Sequence, residues 1–216
     1  MRITVIGATG MVGRRVTSEA AARGHHVVAV SRTARPEAGR SPYKVTVLTA
    51  DVADTTAMQS AMDGSDAAVL AVRPEPGHEV ALLPELTRSA LTAAHDAGVR
   101  LLVVGGAGPL RSPRHPGRTV VDDPDHVAPP WRALAAASAA QLQECRSHPG
   151  GDWTYLSPPA VLAPGARSGR YRTGTDGVLL TDASGNSRIS AQDLAVAVVD
   201  ELESPGAPRW FTVAVV

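Results

Sequence analysis

Three glycines near the start of the chain have the spacing of a turn that holds a phosphate-bearing ligand. Gly7, Gly10 and Gly13 follow the apolar residues 2–6 and open the helical residues 11–23. In such a strand–turn–helix unit, the first glycine permits a sharp turn, the second leaves room for a pyrophosphate, and the third lets the helix pack closely. The helix N-terminus adds amide donors and a partial positive charge. The pattern predicts a dinucleotide site, and a glycine-rich turn without a ligand is the alternative.

The end of the second predicted strand, residues 26–31, indicates which dinucleotide is bound. An acidic residue at this place binds the ribose 2′-hydroxyl of NAD, whereas an arginine accommodates the 2′-phosphate of NADP. The strand ends in Ser31, Arg32 and Thr33, with no Asp or Glu. The two hydroxyls can donate hydrogen bonds to a phosphate, and Arg32 can pair with it and stack on adenine, with help from Arg35. The sequence favours NADP; a solvated arginine at a strand end is the alternative.

Further candidate residues follow the other predicted strands. Asp51 and Val52 follow residues 45–49, where the Asp either faces the adenine or serves as a turn residue. Arg73 ends the strand at residues 67–72, where it either reaches a phosphate or an acidic substrate, or lies on the surface. The predicted cofactor-binding set, which contains no assigned catalytic residue, is Gly7, Thr9, Gly10, Met11, Val12, Gly13, Ser31, Arg32, Asp51, Val52, Ala71, Val72, Arg73, Gly105, Gly106, Ser157, Pro158 and Pro159.

Alternating strands and helices position these residues. Strands are predicted at 2–6, 26–31, 45–49, 67–72, 101–104, 153–156 and 209–215, and helices at 11–23, 54–62, 78–97, 131–146 and 190–203. The strands are near-continuous apolar runs, which is typical of a parallel sheet buried on both faces. We therefore expect an α/β fold, a single Rossmann domain over residues 1–216 with a doubly wound, mostly parallel sheet. A small C-terminal extension, with a hairpin of residues 177–181 and 187–190, is expected on the substrate side.

Composition excludes several other classes of function. The 216 residues carry a formal net charge of +0, so nothing favours binding to nucleic acid or to an anionic membrane. We expect a cytoplasmic protein, because a strand at residue 2 leaves no room for a signal peptide and the single cysteine, Cys145, fits a reducing compartment. The seven histidines are scattered, so no metal site is expected. The expected partners are a small-molecule substrate or a regulated protein, with the chain a monomer or a homodimer.

Five segments give the chain a family resemblance that runs nearly end to end. They are Gly7-Ala-Thr-Gly10 and the segments at 103–108, 153–159, 164–171 and 187–190. Together they resemble the atypical short-chain dehydrogenases/reductases, in the branch of NmrA-like proteins and biliverdin-IXβ/flavin reductases. The resemblance implies NAD(P) at the glycine turn. It also implies one of two activities, because some members reduce flavins or quinones and others sense redox state without turnover.

The acid–base pair usual in this superfamily, Tyr-x-x-x-Lys, does not occur in the sequence. Lys44 is the sole lysine and has no tyrosine four residues before it, while Tyr155 and Tyr171 are followed at that spacing by Pro159 and Thr175. Flavins and quinones need less acid catalysis than ketones. We therefore expect an NADPH-dependent reductase of a small redox-active or electrophilic acceptor. The alternatives are a non-catalytic NADP(H)-binding redox sensor and, more weakly, a structural subunit with a vestigial turn.

A long segment, residues 105–130, lacks any hydrophobic period and is expected to cover the substrate. His126 lies on it and is either a proton donor or a solvated loop residue. Trp131 and Tyr171 are the aromatic candidates for stacking on a planar substrate. Pro158 and Pro159 are expected to form a stiff wall near the nicotinamide, since proline lacks an amide donor.

Overall fold

An eight-stranded sheet forms the centre of the molecule in the computed structural model, which describes residues 1–33, 44–74, 80–115 and 117–215. The strand order is β3-β2-β1-β4-β5-β6-β10-β8, and every pairing is parallel except that of β8 with β10. The strands of this sheet are β1 (Arg2–Ile6), β2 (His26–Ser31), β3 (Val45–Thr49), β4 (Ala67–Leu70), β5 (Arg100–Val104), β6 (Trp153–Ser157), β8 (Tyr171–Gly174) and β10 (Trp210–Val215). Arg35, a predicted helper of Arg32, lies outside the described residues.

Within the described residues, five helices cover the two faces of the sheet. They are α1 (Gly13–Ala22), α2 (Thr55–Met62), α3 (Leu83–Asp96), α4 (Arg132–Ser147) and α5 (Ala191–Glu203). One apolar cluster joins α1 and α5 to one face, and a second joins α2, α3 and α4 to the other. The inner strands β1, β2, β4, β5 and β6 are buried on both sides for this reason, whereas the edge strand β3 is partly exposed. This arrangement confirms the predicted doubly wound α/β fold.

The order of the strands reverses between β1 and β4. The two strands are parallel neighbours, with Ile6 beside Leu70, yet the chain runs from β1 outward to β2 and β3 before it returns to β4. Crossovers that leave in opposite directions open a crevice at the carboxyl ends of these strands. The predicted ligand site therefore lies where the topology makes a groove.

Two predicted helix starts are confirmed by their caps, and a third is wrong. The Asp54 side chain accepts a hydrogen bond from Ala57 N at 3.0 Å, and that of Ser190 from Asp193 N at 2.9 Å. The helix expected from residue 78 begins at Leu83 instead, after a 3₁₀ turn over Val80–Leu82. Proline is tolerated only in the first turn of a helix, and Pro84 therefore sets this later start.

The predicted hairpin of residues 177–181 and 187–190 is also wrong. Arg188–Ser190 forms a strand, β9, but it pairs in parallel with β7 (Val161–Ala163). Residues 177–179 bond instead to Arg111, whose amide donates to Gly177 O at 2.8 Å and whose carbonyl accepts from Leu179 N at 3.0 Å. Partners distant in sequence thus replace the local pairing, because Leu179 gains a buried position there.

An ion cluster joins α1, α5 and the segment before β8. Glu19 accepts two hydrogen bonds of 2.8 Å from Arg167 and one from Arg23, and Arg23 also pairs with Asp200 and Glu203 at 2.7 Å. Glu19 is mostly buried, so these partners are needed to stabilise its charge. None of the helices in the described part of the chain is long and apolar enough to cross a membrane.

Candidate functional site

The turn after β1 requires glycine at its first position. Gly7 has a φ of +82°, a conformation that other residues rarely adopt, and a Cβ there would lie 2.6 Å from the Ala71 carbonyl oxygen. Its amide donates to Val30 O at 2.9 Å. Gly7 therefore ties the end of β1 to the ends of β2 and β4, at the point where the strand order reverses.

The other two glycines of the turn differ in what surrounds them. A Cβ at Gly13 would collide with the carbonyl group of Gly7, so the start of α1 can lie on the turn only without a side chain. A Cβ at Gly10 would meet Gly7 O at 3.2 Å and Ala71 O at 3.8 Å, which asks for only a small shift. The protein itself excludes a side chain at Gly7 and Gly13, whereas Gly10 faces space that a ligand can use.

The N-terminus of α1 points into the same region without a side-chain cap. Val12 precedes the helix and makes no capping hydrogen bond from its side chain. The amides of Met11 and Val12 have no acceptor among the described residues. Uncapped amides at a helix start are favourable donors for a phosphate.

A cleft of about 420 Å³ adjoins this turn. Its floor is the carboxyl ends of β4, β5 and β6, its side is α4, and its roof is the segment that contains His126. Most of the lining is apolar, and its polar side chains are Arg73, His126, Ser138 and Gln141. An apolar cleft with a few polar groups is the usual form of a small-molecule site.

The structure brings eight of the predicted residues to this cleft. They are Val12, Ala71, Val72, Arg73, Gly105, Gly106, Pro158 and Pro159. The other ten lie along the turn, at the ends of β2 and β3, or beneath the cleft: Gly7, Thr9, Gly10, Met11, Gly13, Ser31, Arg32, Asp51, Val52 and Ser157. Lining residues from α3 and α4, such as Leu83, Leu134 and Gln141, are absent from the predicted set, although the apolar face of α4 was a usable signal for them.

The residues after β2 and β3 already have roles in local turns. Ser31 is mostly buried, and its hydroxyl donates to Thr33 O at 2.8 Å. Asp51 accepts a hydrogen bond from Ala53 N at 3.0 Å, as a turn residue does, and its exposed carboxylate keeps acceptor capacity. Arg32 is exposed at the end of β2. Of the two possible roles weighed for Asp51, the turn role is present in the structure.

Two further glycines at the cleft are required by close packing, Gly105 against Tyr155 and Gly106 against Ser138. A Cβ at Gly105 would collide with the Tyr155 ring, and one at Gly106 would lie 2.8 Å from Ser138. The Tyr155 hydroxyl donates to Ser138 O at 2.8 Å, with Gln141 Oε1 at 3.2 Å, and accepts from Gly106 N at 3.3 Å. Tyr155 is fully buried, and this burial raises the pKa of its hydroxyl far above the ordinary range. It supports the cleft floor and has no surface to offer a ligand.

Ser157, Tyr171 and Cys145 are not among the residues that line the cleft. The Ser157 hydroxyl accepts a hydrogen bond from Trp210 Nε1 at 3.0 Å within the sheet. Tyr171, expected as a stacking residue, donates to Asp200 Oδ2 at 2.6 Å, and its pKa is raised by burial and by this bond. Burial raises the pKa of Cys145 to about 12, so its thiol is not a nucleophile.

The described residues of the segment, 105–115 and 117–130, form a roof over the cleft. Leu110, Val120 and Val127 are buried together with Leu179 in a small apolar cluster of their own. Val120 N donates to Leu110 O at 2.8 Å, which closes the segment on itself. This packing fixes His126 above the cleft, as the prediction that the segment covers a substrate requires.

A cation–π contact spans the mouth of the cleft. The Arg73 guanidinium carbon lies 5.2 Å from the centroid of the Trp131 ring. Burial lowers the pKa of Arg73, and Trp131 is 44% exposed. The pair presents a positive charge and an aromatic face, and both groups can contact a planar or anionic ligand.

The comparisons agree with this geometry. A family model described as NAD(P)H-binding matches residues 7–205. The chain is 38% identical over 209 residues to the Bacillus subtilis protein YwnB, covering 95% of this chain and 93% of YwnB. A solved structure from Streptococcus pneumoniae, provisionally named an NADH-flavin reductase, is 27% identical with a TM-score of 0.83 and 100% coverage of both chains.

A more distant relative has a named reaction. The 3-diazoavenalumate denitrifying reductase of a Streptomyces species is 32% identical over 154 residues, which are 64% of this chain and 49% of that protein. The chain thus spans about half the length of this reductase. The family match extends from the first glycine of the turn to the end of α5, and the chain belongs to the NAD(P)H-binding family.

Proposed function

We propose that the protein is an NADPH-dependent reductase of a small redox-active or electrophilic acceptor, such as a flavin or a quinone. The observation that carries this proposal is the apolar cleft beside the glycine turn, lined by Val12 and Pro158 on the predicted cofactor side and by Trp131 on the other. A ligand on the turn and an acceptor in the cleft would be neighbours. Relatives named as reductases support the same class of reaction.

The residues present fit a dinucleotide. The space at Gly10 and the uncapped start of α1 suit a pyrophosphate, and exposed Arg32 suits a 2′-phosphate. The backbone at Pro158 and Pro159 would flank the nicotinamide. When bound, NADPH supplies the reducing equivalents, while the chain binds and orients both partners in a site with little water.

A non-catalytic NADP(H)-binding sensor is the second candidate. It is favoured by the tyrosines, because Tyr155 is buried and Tyr171 is bonded to Asp200, so neither serves as the usual acid. A sensor, however, has no need of an acceptor cleft beside the cofactor. The cleft therefore makes the reductase the better proposal.

The test is NADPH oxidation by purified protein with FMN, menadione and benzaldehyde in turn. Gly10→Val, which should fold without binding the cofactor, controls for contaminating reductases. The reductase proposal expects turnover with at least one acceptor in the wild type and none in the variant. A wild type that binds NADPH in calorimetry yet oxidises it no faster than the variant would support the sensor.

A further inference from the structure

One side chain in the cleft roof has a polar atom that the protein leaves without a partner. His126 lines the cleft, and its side chain is only 7% exposed. Its Nε2 atom is buried and has no hydrogen-bond partner within the described part of the chain. A buried polar atom without a partner costs about 1–3 kcal/mol. A bound ligand that forms a hydrogen bond with His126 Nε2 would offset this cost.

Among the residues that the structure describes, the charged group paired with this atom is a buried carboxylate. Asp123 Oδ2 lies 4.0 Å from His126 Nε2, and Asp123 is fully buried. Burial acts to raise the pKa of Asp123. Hydrogen bonds from Ser112 Oγ at 2.6 Å and Asp125 N at 3.0 Å, with the nearby His126 and His115, outweigh that effect and lower the pKa. Asp123 is therefore an anion that stabilises a positive imidazole.

The other charges near the roof are engaged elsewhere or lie across the cleft. Asp125 faces outward, 3.8 Å from His115 Nε2 and 3.9 Å from Arg114. Arg73 lines the same cleft and stacks on Trp131. The imidazole of His126 thus has the cleft on one side and the buried anion on another.

We infer that His126 is the proton donor for the acceptor in this cleft, with Asp123 as its positioning residue. The inference rests on the proposed function. Bound NADPH would supply a hydride, which is two electrons and one proton, to the electrophilic atom of the acceptor, and the heteroatom that becomes negative would take a proton from the His126 imidazolium. Water restores the proton to His126, so the sum is acceptor, NADPH and H⁺ going to reduced acceptor and NADP⁺. With this acid, the protein can reduce aldehydes and similar polar double bonds in addition to flavins and quinones.

The test compares two acceptors in two matched variants. His126→Gln keeps a polar side chain of similar length but removes the acid, and His26→Gln, at the amino end of β2 and outside the cleft, is the control. A positioned acid is worth about 10²–10⁴ in rate when an alkoxide develops and little when the product is delocalised. We expect His126→Gln to lose at least about 100-fold in kcat/KM with benzaldehyde and to stay within about threefold with menadione. His26→Gln should match the wild type with both.

Two further readouts separate acid catalysis from a structural role. The benzaldehyde rate of the wild type should fall with rising pH, and this fall should be absent in His126→Gln. In the cofactor-free protein, the ring nitrogen resonances of His126 should shift when benzaldehyde is added, and those of His26 should not. Three results would overturn the role of His126 and leave the reductase proposal standing. They are equal losses of kcat/KM with both acceptors in His126→Gln, no shift of the His126 resonances, and a wild type that turns over menadione but not benzaldehyde. Failure with every acceptor would overturn both.

Discussion

Substitution of Gly10 by valine should lower the affinity for the cofactor far more than it lowers the stability of the protein. The new Cβ would approach Gly7 O at 3.2 Å and Ala71 O at 3.8 Å, so the neighbouring backbone has to move by only a few tenths of an ångström. We expect a cost of about 1 kcal/mol, at the low end for overpacking. For a chain of this size the melting temperature should fall by about 2–4 °C.

The effect of the same substitution on cofactor binding should be much larger. The valine would stand between the pyrophosphate and the amides of Met11 and Val12, which directly precede α1 and have no acceptor within the described part of the chain. Loss of two hydrogen bonds to a charged group removes roughly 3–6 kcal/mol. The dissociation constant for NADPH should therefore rise by about two to four decades.

The assay is calorimetric titration with NADPH alongside a thermal melt, with Gly13→Ala as the control. A Cβ at Gly13 would collide with the Gly7 carbonyl group, so this smaller substitution should cost roughly 3 kcal/mol and lower the melting temperature by about 6–12 °C. Wild-type affinity in Gly10→Val would refute the phosphate assignment. A Gly10→Val protein with a melting temperature far below that of Gly13→Ala would refute the conclusion that the turn has room for a side chain at position 10.

Three other outcomes are expected. The wild type should bind NADPH at least about tenfold more tightly than NADH, and Arg32→Ala should remove the preference, because an arginine–phosphate contact is worth roughly 1.5–3 kcal/mol; equal wild-type affinities in calorimetry would exclude Arg32 from the site. Tyr155→Phe and Tyr171→Phe should each keep menadione reduction within about tenfold of wild type, since both hydroxyls are bonded to protein groups; a collapse in steady-state NADPH oxidation would identify a tyrosine acid. The pKa of Glu19 is lowered by its hydrogen bond from Arg167, against the opposing effect of burial, so its charge stabilises the fold above the ordinary Glu range and this stabilisation is lost as pH falls through the lowered pKa. Glu19→Gln should therefore lose roughly 2 kcal/mol of stability at neutral pH, and its melting temperature should lie about 4–8 °C below that of the wild type. The difference in melting temperature should be smaller in acid, and a difference that does not change with pH would contradict this role of Glu19.

The parts of the fold that depend on local sequence were predictable. Within the turn from β1 to α1, Gly10 N donates to Gly7 O and Arg14 N donates to Gly10 O, so the local glycine spacing predicts the turn, although Gly7 also bonds to Val30. The caps at Asp54 and Ser190 are likewise bonds to a residue three positions later. Apolar strands that are buried on both faces gave the parallel sheet, and the structure confirms that fold.

The parts that depend on distant partners were not predictable from local pattern. The sequence of the roof segment shows no hydrophobic period because distant contacts hold the segment in place. Arg111 bonds to residues 177 and 179, and a cluster of four buried residues includes Leu179. The same contacts replace the expected hairpin. The glycines at 105 and 106 look like ligand contacts in sequence, and only the positions of Tyr155 and Ser138 in the fold show that packing also requires them.

The most direct test of the proposed reductase activity is a single turnover under anaerobic conditions. Protein saturated with NADPH is mixed with menadione, and the absorbance of NADPH is followed while menadiol is quantified. We expect bound NADPH to be consumed with formation of one equivalent of menadiol for each NADP⁺, and Gly10→Val to give only the uncatalysed rate. Bound NADPH that persists in the wild type with menadione, FMN and benzaldehyde alike would show that the protein is not a reductase of these acceptors.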